Sequence, residues 1–80
     1  MSTRTTNEKR YKEWVTTADG GRIYTRKVEG QYGWHALYIK QVDAHEKIIS
    51  FRQEIYNEQM ELIEIHEKFP IEKGYQKIKK

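Results

Sequence analysis

The sequence predicts a mainly β fold, a small antiparallel β-meander of about five strands with flexible basic termini. Three observations predict it. Asp19-Gly20-Gly21 is a hairpin signal between two stretches rich in aromatic and β-branched residues, Gly30 and Gly33 repeat that punctuation, and residues 43–70 alternate apolar and charged side chains around a break at Asn57-Glu58-Gln59.

Residues 1–10 (MSTRTTNEKR) have no apolar residue after Met1 and no periodicity, so they read as a flexible basic arm. Trp14, Val15 and two threonines suit a pleated surface and place a first strand at 11–18. The Asp-Gly-Gly turn then offers backbone positions with φ > 0, where a side chain would clash, and returns the chain into a strand at 22–28. A second turn (EGQYG) leads into a third strand at 34–42.

Residues 43–70 admit two readings. As strands, Ile49, Phe51 and Ile55 alternate with Ser50, Arg52 and Glu54, and Ile63, Ile65 and Phe69 alternate with Glu64, His66 and Lys68. As a helix, the segment opens on Asp43-x-x-Glu46, a capping-box pattern, which gives the alternative α+β fold: an N-terminal three-stranded sheet followed by one long helix at 44–69. The strand reading is preferred because the apolar positions cover more than half of a helical circumference, too wide for a surface helix, and because isoleucine is stiff at χ1. Pro70 ends either element. Residues 11–72 thus form a single small domain, and residues 73–80, with four lysines and no acid, a basic tail.

At this size the core is small, and without cysteine there is neither a disulfide framework nor a thiolate metal site. A possible homodimer, or docking on a partner, would bury more surface. No apolar run reaches the roughly 20 residues needed to span a bilayer, so the chain is expected to be cytoplasmic with no membrane contact. The net charge of +3 divides into +4 over residues 1–40, −5 over 41–72 and +4 over 73–80. Nucleic acid would be repelled by the acidic middle unless the basic parts converge in space.

On the strand reading one face collects Leu37, Ile39, Ile49, Phe51, Ile55, Ile63, Ile65 and Phe69 as an aliphatic core. The other collects Trp34, Tyr38, Lys40, Arg52, Tyr56, Glu64 and His66, joined by Tyr24 and Arg26 from strand 2. Tyr24, Arg26, Trp34, Tyr38, Arg52, Tyr56, Glu64 and His66 are therefore the candidate interaction residues, since Trp, Tyr and Arg dominate binding energy at interfaces.

His35, His45 and His66 are the candidates for acid–base or metal chemistry, and Glu64 and His66 would share a face about 7 Å apart. No HExxH, P-loop, Gly-x-Ser-x-Gly or EF-hand pattern occurs, and no cofactor or metal is expected. The leading expectation is a non-catalytic protein-interaction module of inhibitor or adaptor type, of a kind phages and mobile elements encode, targeting a basic or nucleic-acid-handling partner. The alternatives are a nucleic-acid-binding protein using basic ends and an aromatic face, and a small metal-independent ribonuclease using His66, His35, Arg26 and Arg52.

Overall fold

The computed structural model of the chain describes residues 4–71 and 74–78. A short helix, α1 (Arg4–Arg10), precedes six strands, β1 (Glu13–Thr16), β2 (Arg22–Glu29), β3 (His35–Val42), β4 (Ile48–Tyr56), β5 (Leu62–Phe69) and β6 (Gly74–Lys77). They form one antiparallel sheet in the order β1-β2-β3-β4-β5-β6. The mainly β meander is the observed fold, with one strand more than the sequence suggests and no helix at 44–69.

Three of the hairpin turns follow one design. Thr17–Gly21, Asp43–Lys47 and Asn57–Glu61 each close with a hydrogen bond from the first residue's N–H to the fifth residue's carbonyl, at 2.9, 2.9 and 3.0 Å. The fourth residue of each takes a left-handed conformation: Gly20 (φ 89°), Glu46 (φ 64°) and Met60 (φ 64°). This is a type I turn followed by a bulge residue, a common three-residue hairpin loop. Asp43 Oδ1 accepts the backbone N–H groups of His45 and Lys47 at 2.8 and 3.0 Å, so the Asp43-x-x-Glu46 pattern makes a tight turn rather than a helix cap. Asn57 Oδ1 does the same for Gln59 and Glu61. The β2–β3 turn spans the same five residues, Gly30–Trp34, and closes with the same bond at 2.7 Å, but here both Tyr32 (φ 60°) and Gly33 (φ 80°) are left-handed.

Paired residues fix two faces. Trp14↔Tyr24↔Lys40↔Phe51 and Arg26↔Tyr38↔Gln53↔His66↔Tyr75 lie on one face. Val15↔Ile23↔Gln41↔Ser50 and Lys27↔Leu37↔Glu54↔Ile65 lie on the other. A register shift between Gln41 and Val42 makes Ile49 the extra residue of a bulge, and that one residue reverses the expected facing of β4. Phe51 and Ile55 join Tyr38 and Lys40, whereas Arg52 and Tyr56 join Leu37 and Ile39.

The centre of packing lies on the Tyr38 face, not on the aliphatic one. Tyr24 and Val42 are fully buried and Tyr11 is 3% exposed, and these three are the only buried apolar side chains among the described residues. Tyr24 packs between the rings of Tyr11 and Trp14, at centroid distances of 5.5 and 5.9 Å. Helix α1 covers this end of the sheet. Its segment was expected as a flexible arm, because it offers no apolar periodicity; its anchors are polar instead. Asn7 is buried, donating to Glu46 Oε2 at 2.8 Å and accepting from Lys40 Nζ at 2.8 Å. Arg4 pairs with Glu46 at 2.7 Å, and Glu8 with Arg22 at 2.7 Å. Part of the expected basic tail is likewise ordered as β6, with Tyr75 opposite His66. The expectations at residues 1–3, 72–73 and 79–80 lie outside the described residues.

Candidate functional site

The face that carries α1 also carries a chain of side-chain hydrogen bonds. Gln53, at the middle of β4, is 8% exposed. Its side chain donates to the Tyr38 hydroxyl at 3.1 Å and accepts from the Tyr75 hydroxyl at 3.0 Å, a chain of bonds reaching from β3 across to β6. His66 lies beneath, its ring 4.3 Å from that of Tyr75. Side chains from β3 to β6 are thus linked along one face of the sheet.

Cations gather over the rings there. The Arg26 guanidinium and the Lys68 ammonium each lie 5.3 Å from the centre of the Tyr38 ring, and Lys68 also sits 5.6 Å from Phe51. Both fall inside the range at which a cation is attracted to an aromatic face. Arg10, from the last turn of α1, completes a recess with Tyr11, Arg26, Tyr38 and Phe51. Lys9 and Thr6 extend it along the helix. Among the described residues, none of Lys9, Arg10, Arg26 and Lys68 has an ion-pair partner, while the nearby carboxylates Glu8 and Glu46 are engaged by Arg22 and Arg4. The local field is felt by Tyr11, where burial raises the phenol pKa and Arg10 and Arg26 pull against it. Lys40 beneath has its pKa lowered by burial and by Arg10, against the pull of Glu46.

Beside this recess, toward the β2–β3 turn, lies an open cleft of about 560 Å³. Val28, Ala36 and Ile55, one from each of three adjacent strands, form its floor, and Trp34 and Tyr38 flank it. Trp34 is fixed by a 2.7 Å hydrogen bond from its indole N–H to Glu58 on the β4–β5 turn.

Of the candidate residues, Tyr24, Arg26, Tyr38, Glu64 and His66 occupy this face, with Tyr24 buried under α1 and Trp34 at the cleft's edge. Arg52 and Tyr56 lie on the opposite face, where both bind Glu54, at 2.8 and 2.7 Å. Glu54 keeps a lowered pKa: burial raises it, but these two hydrogen bonds outweigh burial. His35 is also there, stacked 5.0 Å from Tyr56. The sheet therefore separates His66 and Arg26 from His35 and Arg52, and those four side chains cannot converge on one phosphate. His45 is exposed in the β3–β4 turn. Among the described residues no group of three or more His, Asp or Glu converges as a metal site, and no helix is long and apolar enough to cross a membrane.

Lys9, Arg10, Phe51 and Lys68 are the site residues that sequence reasoning missed. Lys68 reaches Tyr38 because a second register shift, between Phe51 and Arg52, displaces β5 against β4. No residue type marks that shift. Comparison of the chain with protein-family models, curated proteins and solved structures gave no match in any of the three.

Proposed function

We propose that the chain binds single-stranded nucleic acid along the face that carries α1 and Tyr38. The observation that carries this reading is Tyr38, an aromatic ring with the Arg26 guanidinium and the Lys68 ammonium each 5.3 Å from its centre, Arg10 alongside, and no carboxylate paired to any of the three cations among the described residues. The sequence demands that basic parts converge before a nucleic acid is a sensible ligand. Arg10 of α1 and Arg26 of β2, both from the basic first half of the chain, meet at the Tyr38–Phe51 ring pair, and Lys68, a cation of the acidic middle segment, joins them there. Cations neutralise phosphates and release counterions, while the rings offer stacking surface to any base, a combination typical of sequence-tolerant strand binding. Bases are accessible to such a surface only when unpaired. The reading carries with it a cytoplasmic location. Its test is a mobility-shift titration with a labelled single strand: the wild-type chain should retard it, and the double variant Arg26→Ala/Lys68→Ala should not.

A second reading, the interaction module, is favoured by the opposite face. Ile23, Leu37, Ile39 and Ile65 sit there half-exposed, and no described element covers them. With three buried apolar side chains among the described residues, the fold gains little from its own core. The polar groups around this patch are of both signs, including the pairs Lys27–Glu29 and Arg52–Glu54. Such a surface can oppose itself across a two-fold axis, so a second copy of the chain is the occupant this reading assigns.

A further inference from the structure

We infer that the cleft between Trp34 and Tyr38 is a base subsite, which takes one unstacked base of a strand whose phosphate lies at Arg10 and Arg26. The inference rests on the nucleic-acid reading and adds to it a place for the base.

Tyr38 carries the argument, because its ring belongs to two adjoining spaces of opposite chemistry. On one side it lines the recess with Arg10 and Arg26, on the other the cleft floored by Val28, Ala36 and Ile55. A ligand spanning both needs an anionic group joined to a flat apolar body, which is the build of a nucleotide unit. An apolar peptide side chain would fill the cleft but leave the cations unanswered, and a free phosphate would do the reverse. Both flanking rings are held in place before any ligand arrives. Trp34 is tied to Glu58, and the Tyr38 hydroxyl is tied through Gln53 to Tyr75. A pre-ordered ring loses little freedom on stacking. The small side chain of Ala36 leaves room between Val28 and Ile55, its neighbours across β2 and β4.

Two oligonucleotides with equal numbers of phosphates, one of thymidines and one wholly abasic, separate base from backbone. The wild-type chain should bind the thymidine strand about tenfold or more tightly than the abasic one, as expected for stacking of a single base. Trp34→Leu removes a flanking ring from the exposed edge, and Ala36→Ile fills the floor; each should bring that ratio toward one while leaving affinity for the abasic strand unchanged. Equal wild-type affinity for the two strands would overturn the subsite and leave the nucleic-acid reading standing. A ratio that survives both substitutions would also overturn it, since the base would then sit elsewhere. If neither strand binds at low salt, the nucleic-acid reading itself falls and the subsite with it.

Discussion

Asn7 and Glu46 are joined by a 2.8 Å hydrogen bond between buried side chains, and this contact places the N-terminal helix on the sheet. Glu46 also receives Arg4 at 2.7 Å and the Tyr24 hydroxyl at 2.9 Å. Its backbone is left-handed at φ 64°, a conformation that costs a non-glycine residue about 1 kcal/mol. Three bonds to one carboxylate outweigh that cost, because hydrogen bonds to charged groups contribute about 1.5–3 kcal/mol each. Since α1 also carries Lys9 and Arg10, the buried carboxylate at one end of the helix positions the cations at the other.

Replacing Glu46 by Gln should therefore weaken nucleic-acid binding, although it removes a negative charge from a site that binds an anion. Weakening its bonds from Arg4, Asn7 and Tyr24 together should also destabilise the fold by about 2 kcal/mol. Hydrogen exchange at the backbone amides of Asn7 to Tyr11 should accelerate in the variant. Tighter binding with unchanged exchange would show that the carboxylate acts only through its charge.

Acid should loosen the helix by the same route. Burial raises the pKa of Glu46, but the bonds from Asn7, Arg4 and Tyr24 outweigh burial and hold it below the ordinary glutamate value. A carboxyl group whose folded pKa is lowered contributes stability that is fully present above its unfolded pKa and lost as pH falls through the folded value. The expected result is a loss of α1 protection on acidification below the ordinary glutamate range, and its absence in Glu46→Gln. Protection that falls equally in both proteins would assign the effect to other carboxylates.

Met60 occupies the same turn position as Glu46, but its side chain is 67% exposed and does not hold a helix. Met60→Gly relieves the left-handed backbone and should stabilise the fold by about 0.5–1 kcal/mol after the added freedom of the unfolded chain is counted. A thermal melt should show a rise of a few degrees. A fall would mean that the Met60 side chain makes a contact worth more than the strain.

Oligomeric state tests the open face independently of the one that carries Tyr38. Light scattering coupled to size exclusion should give a dimer for the wild-type chain and a monomer for Leu37→Asp, since a carboxylate at the middle of the apolar patch would be desolvated without a partner. A wild-type monomer at high concentration would remove the second copy as the occupant.

Much of the fold was legible, because hairpin turns announce themselves locally. Gly20, Gly33 and Asn57 mark three of the turns, and the alternation along β3 and β5 gives strands their length. The facing of β4 was not legible, because the bulge at Ile49 arises from pairing between strands and leaves no local residue signature. Helix α1 was hidden for a different reason. Pattern reading finds helices by an apolar stripe, and α1 is held by Arg4, Asn7 and Glu8 through partners 14–42 residues away in sequence. Arg26 and Tyr38 stood out as candidates from residue type alone. Arg10, Phe51 and Lys68 gained their place beside them only when the strands were aligned.

On the proposed function, the cationic and aromatic face binds a single strand through its phosphates. The most direct measurement is fluorescence anisotropy of a labelled oligonucleotide as salt is raised from about 50 to about 200 mM. With Lys9, Arg10, Arg26 and Lys68 each neutralising one phosphate, the logarithm of affinity should fall against the logarithm of salt with a slope of about −3, and Arg26→Ala should reduce that slope by about 0.7. No binding at the lowest salt, or an affinity indifferent to salt and to Arg26→Ala, would rule out strand binding at this face.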